Sequence, residues 1–152
     1  MGNRILIAGT YDTKDDELSY LASVIRAHGG EVLSMDVSVL GHPRQPTGWS
    51  KEDVAAEAGT TIAAIIAAED ENVAMQAMAR GAAALAARLH REGRFDGVLV
   101  LGGSMGTDLA LDLCAALPLG VPKYIVSTVA FSPMIPPERL AADTQMILWA
   151  GG

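Results

Sequence analysis

Three polar turns carry the side chains that could bind a ligand, and each turn follows an apolar run. They contain Gly9, Thr10, Asp12, Thr13 and Lys14 after the first run, Gly102, Gly103, Ser104, Gly106 and Thr107 after a later one, and Ser127, Thr128 and Val129 after the next. Glycines let backbone amides approach a ligand closely, and hydroxyl groups donate hydrogen bonds to oxygen atoms. This chemistry suits a phosphate group.

The glycine-rich turn at residues 102–107 admits two interpretations. In the first, its glycines expose backbone amides and the following helix adds the positive end of its dipole, so that the turn binds an anion. In the second, the glycines only relieve crowding where a strand turns tightly into a helix. The turn is not a P-loop, because it lacks the final Gly-Lys-Ser/Thr, and its spacing does not match the G-x-G-x-x-G fingerprint.

Lys14 and Asp36 are charged residues that could contact a nucleotide at the ends of the first two strands. A lysine is unfavourable in the first turn of a helix unless an anion is near, so Lys14 is predicted to bind phosphate. The alternative is a capped helix start with Asp12 or Thr13 as the N-cap residue. Asp36 lies where nucleotide-binding sheets often place an acid on ribose hydroxyls, although it could instead cap a turn.

The framework that positions these turns is predicted to be a parallel sheet. Short apolar runs at residues 5–8, 32–37, 98–101, 124–126 and 146–149 are typical of buried strands. Helical periodicity between them predicts a doubly wound, mainly parallel five-stranded α/β sheet with strand order 2-1-3-4-5 and helices on both faces. The turns after the strands would then meet at one edge of the sheet.

Helices are predicted in three of the connections. Apolar residues recur at helical spacing at positions 18, 21, 22 and 25, a long helix begins near Asp70, and another follows the glycine-rich turn. The alanine-rich residues 54–68 favour a helix that Gly59 could break in two, whereas residues 41–50 are predicted to form a loop.

Composition excludes several classes of function. The 152 residues suit one domain, and a net charge of −7 argues against a surface that tracks nucleic acid or anionic lipid. The single cysteine, Cys114, lies in an apolar run and is expected to be buried. We find no membrane-spanning run, signal peptide, metal-ligand spacing or Ser-His-Asp set, so we expect a cytoplasmic protein without an evident catalytic base.

The last residues predict that the sequence is the N-terminal part of a longer protein. The strand-like run that ends at Trp149 is followed by three residues, with no helix to cover it. An exposed sheet edge at this position would favour self-association.

The segments GTYDTKDDELSYL, DVSVLG, VLGGSMGTDLA and LPLGVPKYIVSTVA resemble the N-terminal ATP-binding domain of the family that contains the plant tobamovirus-resistance protein and its bacterial relatives. The resemblance implies a two-domain protein whose second half is another α/β domain. In the plant member the ATP-binding region also holds a viral replication protein, so the resemblance implies binding rather than turnover.

Carried over by resemblance, the nucleotide contacts fall on Gly9, Thr10, Asp12, Thr13 and Lys14, on Gly102, Gly103, Ser104, Gly106 and Thr107, and on Ser127, Thr128 and Val129. Two departures affect the fit. Met105 replaces a glycine common in relatives and is compatible only with a negative φ, and Phe131-Ser132-Pro133 replaces the usual Ser-Gly.

Three functions stay open from the sequence. The first is ATP binding, with phosphates across the turn at residues 9–14 and the glycine-rich turn at residues 102–107, and with the nucleoside near Asp36 or the turn at residues 127–129. Mg²⁺ is a candidate second ligand, because one lysine cannot neutralise a triphosphate. The second is a protein-interaction module. The third is an enzyme half-site for a phosphorylated or acyl substrate, completed by a C-terminal domain.

Overall fold

The five apolar runs form the strands of one sheet in the computed structural model, which describes residues 2–151. The strands are β1 (Arg4–Gly9), β2 (Glu31–Asp36), β3 (Gly97–Gly102), β4 (Lys123–Ser127) and β5 (Thr144–Leu148). Their order is β2-β1-β3-β4-β5 and every neighbouring pair is parallel. The predicted fold class and strand order are therefore confirmed.

Five α-helices connect these strands: α1 (Asp15–Ala27), α2 (Lys51–Glu57), α3 (Ile62–Ala67), α4 (Glu71–Arg91) and α5 (Ser104–Ala115). The predicted start of α4 is confirmed, because Asp70 is its N-cap residue and accepts a hydrogen bond from the Val73 amide. The predicted break in the alanine-rich stretch is also confirmed. Gly59, with a φ of +75°, separates α2 from α3 because glycine adopts this conformation without strain.

The helices lie on both faces of the sheet because the chain crosses it in two directions. From β1 to β2 the chain moves toward one edge, whereas from β2 to β3 and on to β4 it moves toward the other. Right-handed crossovers then place α1 on one face and α4 and α5 on the opposite face. The larger core includes Leu6, Met35, Leu85 and Ile125, and the smaller one packs α1 against β1 and β3.

The loop after β2 is held in place by a buried lysine. Lys51, only 4% exposed, donates from Nζ to the carbonyl oxygens of Val39 at 3.1 Å and Gly41 at 2.7 Å. The Trp49 amide donates to the Ser34 carbonyl at 2.9 Å and returns the loop to β2. A segment without regular structure is thereby positioned at the C-terminal edge of the sheet.

Candidate ligand-binding site

Two adjoining cavities lie at the edge of the sheet where the predicted turns meet. The α5 cavity, about 310 Å³, is enclosed by the start of α4, the start of α5 and the segment after β4. The β2 cavity, about 530 Å³, is enclosed by the turn after β1, the loop after β2, α3 and the start of α4. Met75 lines both cavities, so they are neighbours across one side chain.

The glycine-rich turn places the start of α5 against the end of β3. A β-carbon on Gly102 would lie 2.5 Å from the Gly106 carbonyl carbon, so only glycine fits there. Gly103 is the N-cap residue, and no side chain caps the helix. The Thr107 amide makes the first helical hydrogen bond, to the Gly103 carbonyl at 2.7 Å, which leaves the amides of the first turn outside the helical ladder.

The first turn of α5 also accommodates the departure at Met105. Met105 lies within the helix, and among the described residues only Glu69 and Phe131 are non-glycine residues with positive φ. No acidic side chain is present in this turn. Ser104 is exposed, and Ser104, Met105 and Thr107 line the α5 cavity. A ligand could therefore approach the backbone amides of this turn closely, because no acidic side chain in the turn competes for them.

Thr107 and Ser127 use their hydroxyl groups within the protein. Their oxygen atoms lie 2.6 Å apart, and the Ser127 hydroxyl also accepts a hydrogen bond from the Val129 amide at 3.1 Å. Thr107 is 1% exposed and Ser127 is fully buried. This pair attaches α5 to the end of β4, while the Thr128 amide donates to the Gly102 carbonyl at 3.2 Å.

The segment that follows Val129 departs from ordinary backbone geometry at Phe131. Phe131 has a φ of +63° and is 79% exposed. A bulky residue rarely adopts this conformation, because its β-carbon crowds the backbone. Met134 and Ile135 follow and line the α5 cavity, so the Phe131-Ser132-Pro133 departure shapes one wall of the candidate site.

Backbone amides of the turn after β1 are hydrogen-bonded within the protein. The Tyr11 amide donates to Asp36 Oδ1 at 3.2 Å, and the Asp12 amide donates to Ser38 Oγ at 3.2 Å. The amides of Thr13 and Lys14 both donate to the Thr10 carbonyl. Three residues of this turn, Thr10, Asp12 and Thr13, line the β2 cavity.

Asp36 joins the turn after β1 to the loop after β2. It is 1% exposed, and its Oδ1 accepts hydrogen bonds from the amide and hydroxyl of Ser38 as well as from Tyr11. Burial, and then the negative charge of Asp36, raise the pKa of the Tyr11 phenol. These contacts match the turn-capping interpretation of Asp36, and a ribose contact stays a prediction.

Lys14 follows Thr13 of the β2 cavity but lines neither cavity itself. Its ammonium group is 5.0 Å from the centre of the Trp149 ring, at the end of β5, which is a cation–π distance. Lys14 itself is the N-cap residue of α1 and makes no side-chain cap, so the capping interpretation with Asp12 or Thr13 is wrong. The indole ring gives the lysine an interaction that does not require an anion.

The charges around the two cavities are acidic. Among the described residues, neither cavity is lined by lysine or arginine, whereas Asp12, Asp70 and Glu71 line the β2 cavity and Asp108 lines the α5 cavity. Arg139 neutralises part of this charge through ion pairs with Asp108 and with Asp112, the latter at 2.7 Å. A bound phosphate would therefore depend on backbone amides and on a cation that arrives with it.

Sequence reasoning missed the residues that α4 contributes to the site. Asn72, Met75 and Gln76 line the α5 cavity. The sequence-based predictions placed ligand contacts only at the ends of strands. The only available signal was the predicted start of α4 near Asp70, because helices begin at this edge of the sheet after a loop from the preceding strand. Asp108 and Met134 carried no comparable signal.

Two further searches of residues 2–151 bear on function. No group of three or more His, Cys, Asp or Glu side chains is arranged to hold a metal ion within this range. None of its helices combines the length and the apolar character needed to span a membrane.

This chain is similar to a protein family and to several bacterial proteins. Residues 3–149 match the model described as the uncharacterised protein family (UPF0261) N-terminal domain. A UPF0261 protein of Brucella suis is 58% identical over 149 residues, covering 98% of this chain and 36% of the relative, and one of Clostridium tetani is 38% identical over 130 residues, covering 86% and 32%. The chain thus spans about a third of the length of these relatives.

A plant protein is also similar to this chain. The tomato ToMV resistance protein Tm-1 is 27% identical over 150 residues, covering 84% of this chain and 19% of the tomato protein. This similarity and the bacterial matches confirm the family resemblance drawn from the sequence motifs. The chain belongs to the UPF0261 family, of which it matches the N-terminal domain.

Proposed function

We propose that this domain binds a nucleotide, ATP, with its phosphates on the first-turn amides of α5. The observation that carries the proposal is the α5 N-terminus, which has no side-chain cap and opens into a cavity of about 310 Å³. Such amides and the helix dipole favour anions. The position, at the end of β3 beside the point where strand order reverses, is where open α/β sheets bind ligands.

The nucleoside would occupy the β2 cavity, which adjoins the phosphate position across Met75. Its volume of about 530 Å³ is typical of small-molecule sites, and Val39, Leu40 and Ile65 give it an apolar wall. Asp12 and Asp70 also line this cavity, where their carboxylates could accept hydrogen bonds from ribose hydroxyls. Asp36 is buried and would act indirectly, by accepting hydrogen bonds that hold Tyr11 and Ser38 in place beside this cavity.

The charge of the phosphates would be met in large part by Mg²⁺. The described residues offer no cluster of metal ligands, so the ion would be coordinated mainly by phosphate oxygens and water. Lys14 remains a predicted contact, but its ammonium would have to leave the Trp149 ring to reach a phosphate. Because no lysine, arginine or histidine within residues 2–151 lines either cavity, we expect weak binding without hydrolysis.

Titration calorimetry with ATP and Mg²⁺ tests the proposal, alongside a phosphate-release assay. Gly103→Val should weaken binding by at least about ten-fold, because its side chain would occupy the space over the first-turn amides. Ala115→Val, at the exposed far end of the same helix, is the matched control and should leave affinity unchanged. Equal affinity of wild type and folded Gly103→Val, or no ATP binding by the wild type, would refute the proposal.

An interaction module and an enzyme half-site remain alternative proposals for the whole protein. The name of the tomato relative refers to virus resistance, a property of that protein. If calorimetry shows no nucleotide binding, the interaction module becomes the better proposal, because β4 and β5 expose the apolar side chains of Tyr124 and Ile147. Turnover by the full-length protein but not by this chain would favour the half-site.

A further inference from the structure

The sheet has one open face, defined here by Leu99, Tyr124, Val126, Ile147 and Trp149. Leu99, Val126 and Trp149 pack at the margin of the smaller core, on the side of the sheet that carries α1. Ile147 is paired with Val126 in the parallel register, so its side chain lies on the same side. Within residues 2–151, α1 packs on β1 and β2 and reaches Leu101 of β3, and no helix covers β4 and β5 on this side.

The open face is unusual for a parallel sheet, which is normally covered on both sides. Tyr124 is 36% exposed, Ile147 is 46% exposed, and Tyr20 on the adjoining flank of α1 is 68% exposed. Large apolar side chains grouped in this way mark an interaction surface rather than scattered surface residues.

Two grooves give the open face the shape of a helix-binding site. One groove, about 450 Å³, lies between Tyr20 and Leu21 of α1 and the Val126 and Trp149 side chains. The other, about 250 Å³, lies near the opposite end of α1, between Ile25 and Tyr124. Together they follow the flank of α1, whose 13 residues span about 20 Å at 1.5 Å per residue.

We infer that the open face binds an amphipathic helix from the polypeptide that follows β5 in the full-length protein. The matched family model is an N-terminal domain, and the matched region is only 36% of the Brucella suis relative, so most of that relative follows the region described here. A chain leaving β5 does so at the edge of the sheet where α1 begins, so it can turn back over this side of the sheet and place the helix beside α1.

The open face predicts the length, the apolar stripe and the charge of this helix. About 13 residues would match α1 in length, with an apolar stripe toward Val126 and Ile147. Glu17 borders the groove at the edge where β5 ends, whereas the neighbouring Asp16 is already paired with Arg44, so a lysine or arginine near the start of the helix is expected to face Glu17. This requirement is independent of nucleotide binding, because the open face and the two ligand cavities are on opposite sides of the sheet.

Cysteine labelling tests the inference in the full-length Brucella suis relative and in this 152-residue chain, each otherwise free of cysteine. A cysteine at Ile147, or at its aligned position, should react with a maleimide at least about ten-fold more slowly in the full-length protein, because reaction then requires local opening. Tyr20→Cys, at a site 68% exposed on α1, should show the same protection even if Ile147→Cys fails to fold.

Phe131→Cys is the matched control, since Phe131 is 79% exposed and lies in the segment after β4, away from the open face. It should react equally fast in both proteins. Equal rates for Ile147→Cys and Tyr20→Cys in the two proteins would overturn the inference. Protection that disappears when the full-length protein is diluted would also overturn it, by assigning the face to a second copy.

Discussion

The first two glycines of the turn after β3 should respond differently to the same substitution. A β-carbon on Gly102 would lie 2.5 Å from the carbonyl carbon of Gly106, 2.7 Å from its Cα and 2.8 Å from the Thr107 amide nitrogen. Since carbon atoms in contact are about 3.5–4.0 Å apart, α5 would have to move by about 1 Å. A β-carbon on Gly103 would meet nothing closer than Thr128 Oγ1 at 3.8 Å.

The magnitudes follow from these contacts. Overpacking costs about 1–3 kcal/mol, and we expect Gly102→Ala to lower the free energy of unfolding by about 3 kcal/mol because the crowded atoms are backbone and cannot rotate away. Gly103→Ala loses a favourable N-cap residue, at about 0.5–1 kcal/mol, but restricts the unfolded chain, which offsets about 0.4–1 kcal/mol. Its net effect should stay within about 0.5 kcal/mol.

Urea unfolding followed by far-UV circular dichroism measures both variants. For a domain of this size, the expected loss in Gly102→Ala corresponds to a decrease in Tm of about 6–12 °C. Equal stability of the two variants would refute the reasoning, because it would mean that α5 does not approach β3 as closely as the structure indicates. The comparison requires no ligand, so it tests the geometry of the turn separately from nucleotide binding.

Three further predictions concern stability and reactivity. Phe131→Gly should raise the free energy of unfolding by about 1 kcal/mol, because Phe131 has a φ of +63° and is largely exposed; an unchanged urea midpoint would contradict this. Asp143→Asn should destabilise the protein near neutral pH, because Asp143 pairs at 2.5 Å with Lys123, which is 2% exposed. Lys123 lowers the pKa of Asp143 below its ordinary 3.8, so the difference from wild type should persist above that pH and shrink as the pH falls below it; a difference in urea midpoint that is independent of pH would contradict this. Burial raises the pKa of Cys114 to about 12, so a thiol reagent at about pH 8 should modify it only after unfolding, and complete labelling of the native protein would be the contrary result.

Much of the fold could be predicted from the sequence because its determinants are local. Apolar runs of strand length specify β1 to β5 to within two residues, and Asp70 at the start of α4 and Gly59 between α2 and α3 act through their own backbone neighbours. The strand order also follows, since right-handed crossovers leave few topologies for alternating strands and helices.

The candidate site could be located but not resolved from the sequence. The sequence predicted that the turns after the strands meet at one edge of the sheet, because the C-terminal ends of parallel strands share one edge. Which atoms remain available to a ligand depends on distant partners. Thr107 bonds to Ser127 and Asp36 bonds to Tyr11 and Ser38, so groups that look free in the sequence are already paired.

Lys14 illustrates what only the tertiary structure decides. The sequence places a cation at the start of α1, where its charge is unfavourable without an anion. The fold brings Trp149, 135 positions later in the chain, under its ammonium group and supplies the interaction instead. Helical and strand patterns are properties of residues that are neighbours in sequence. The environment of a turn depends instead on the elements that the sheet places beside it. That placement is decided by packing across the whole domain.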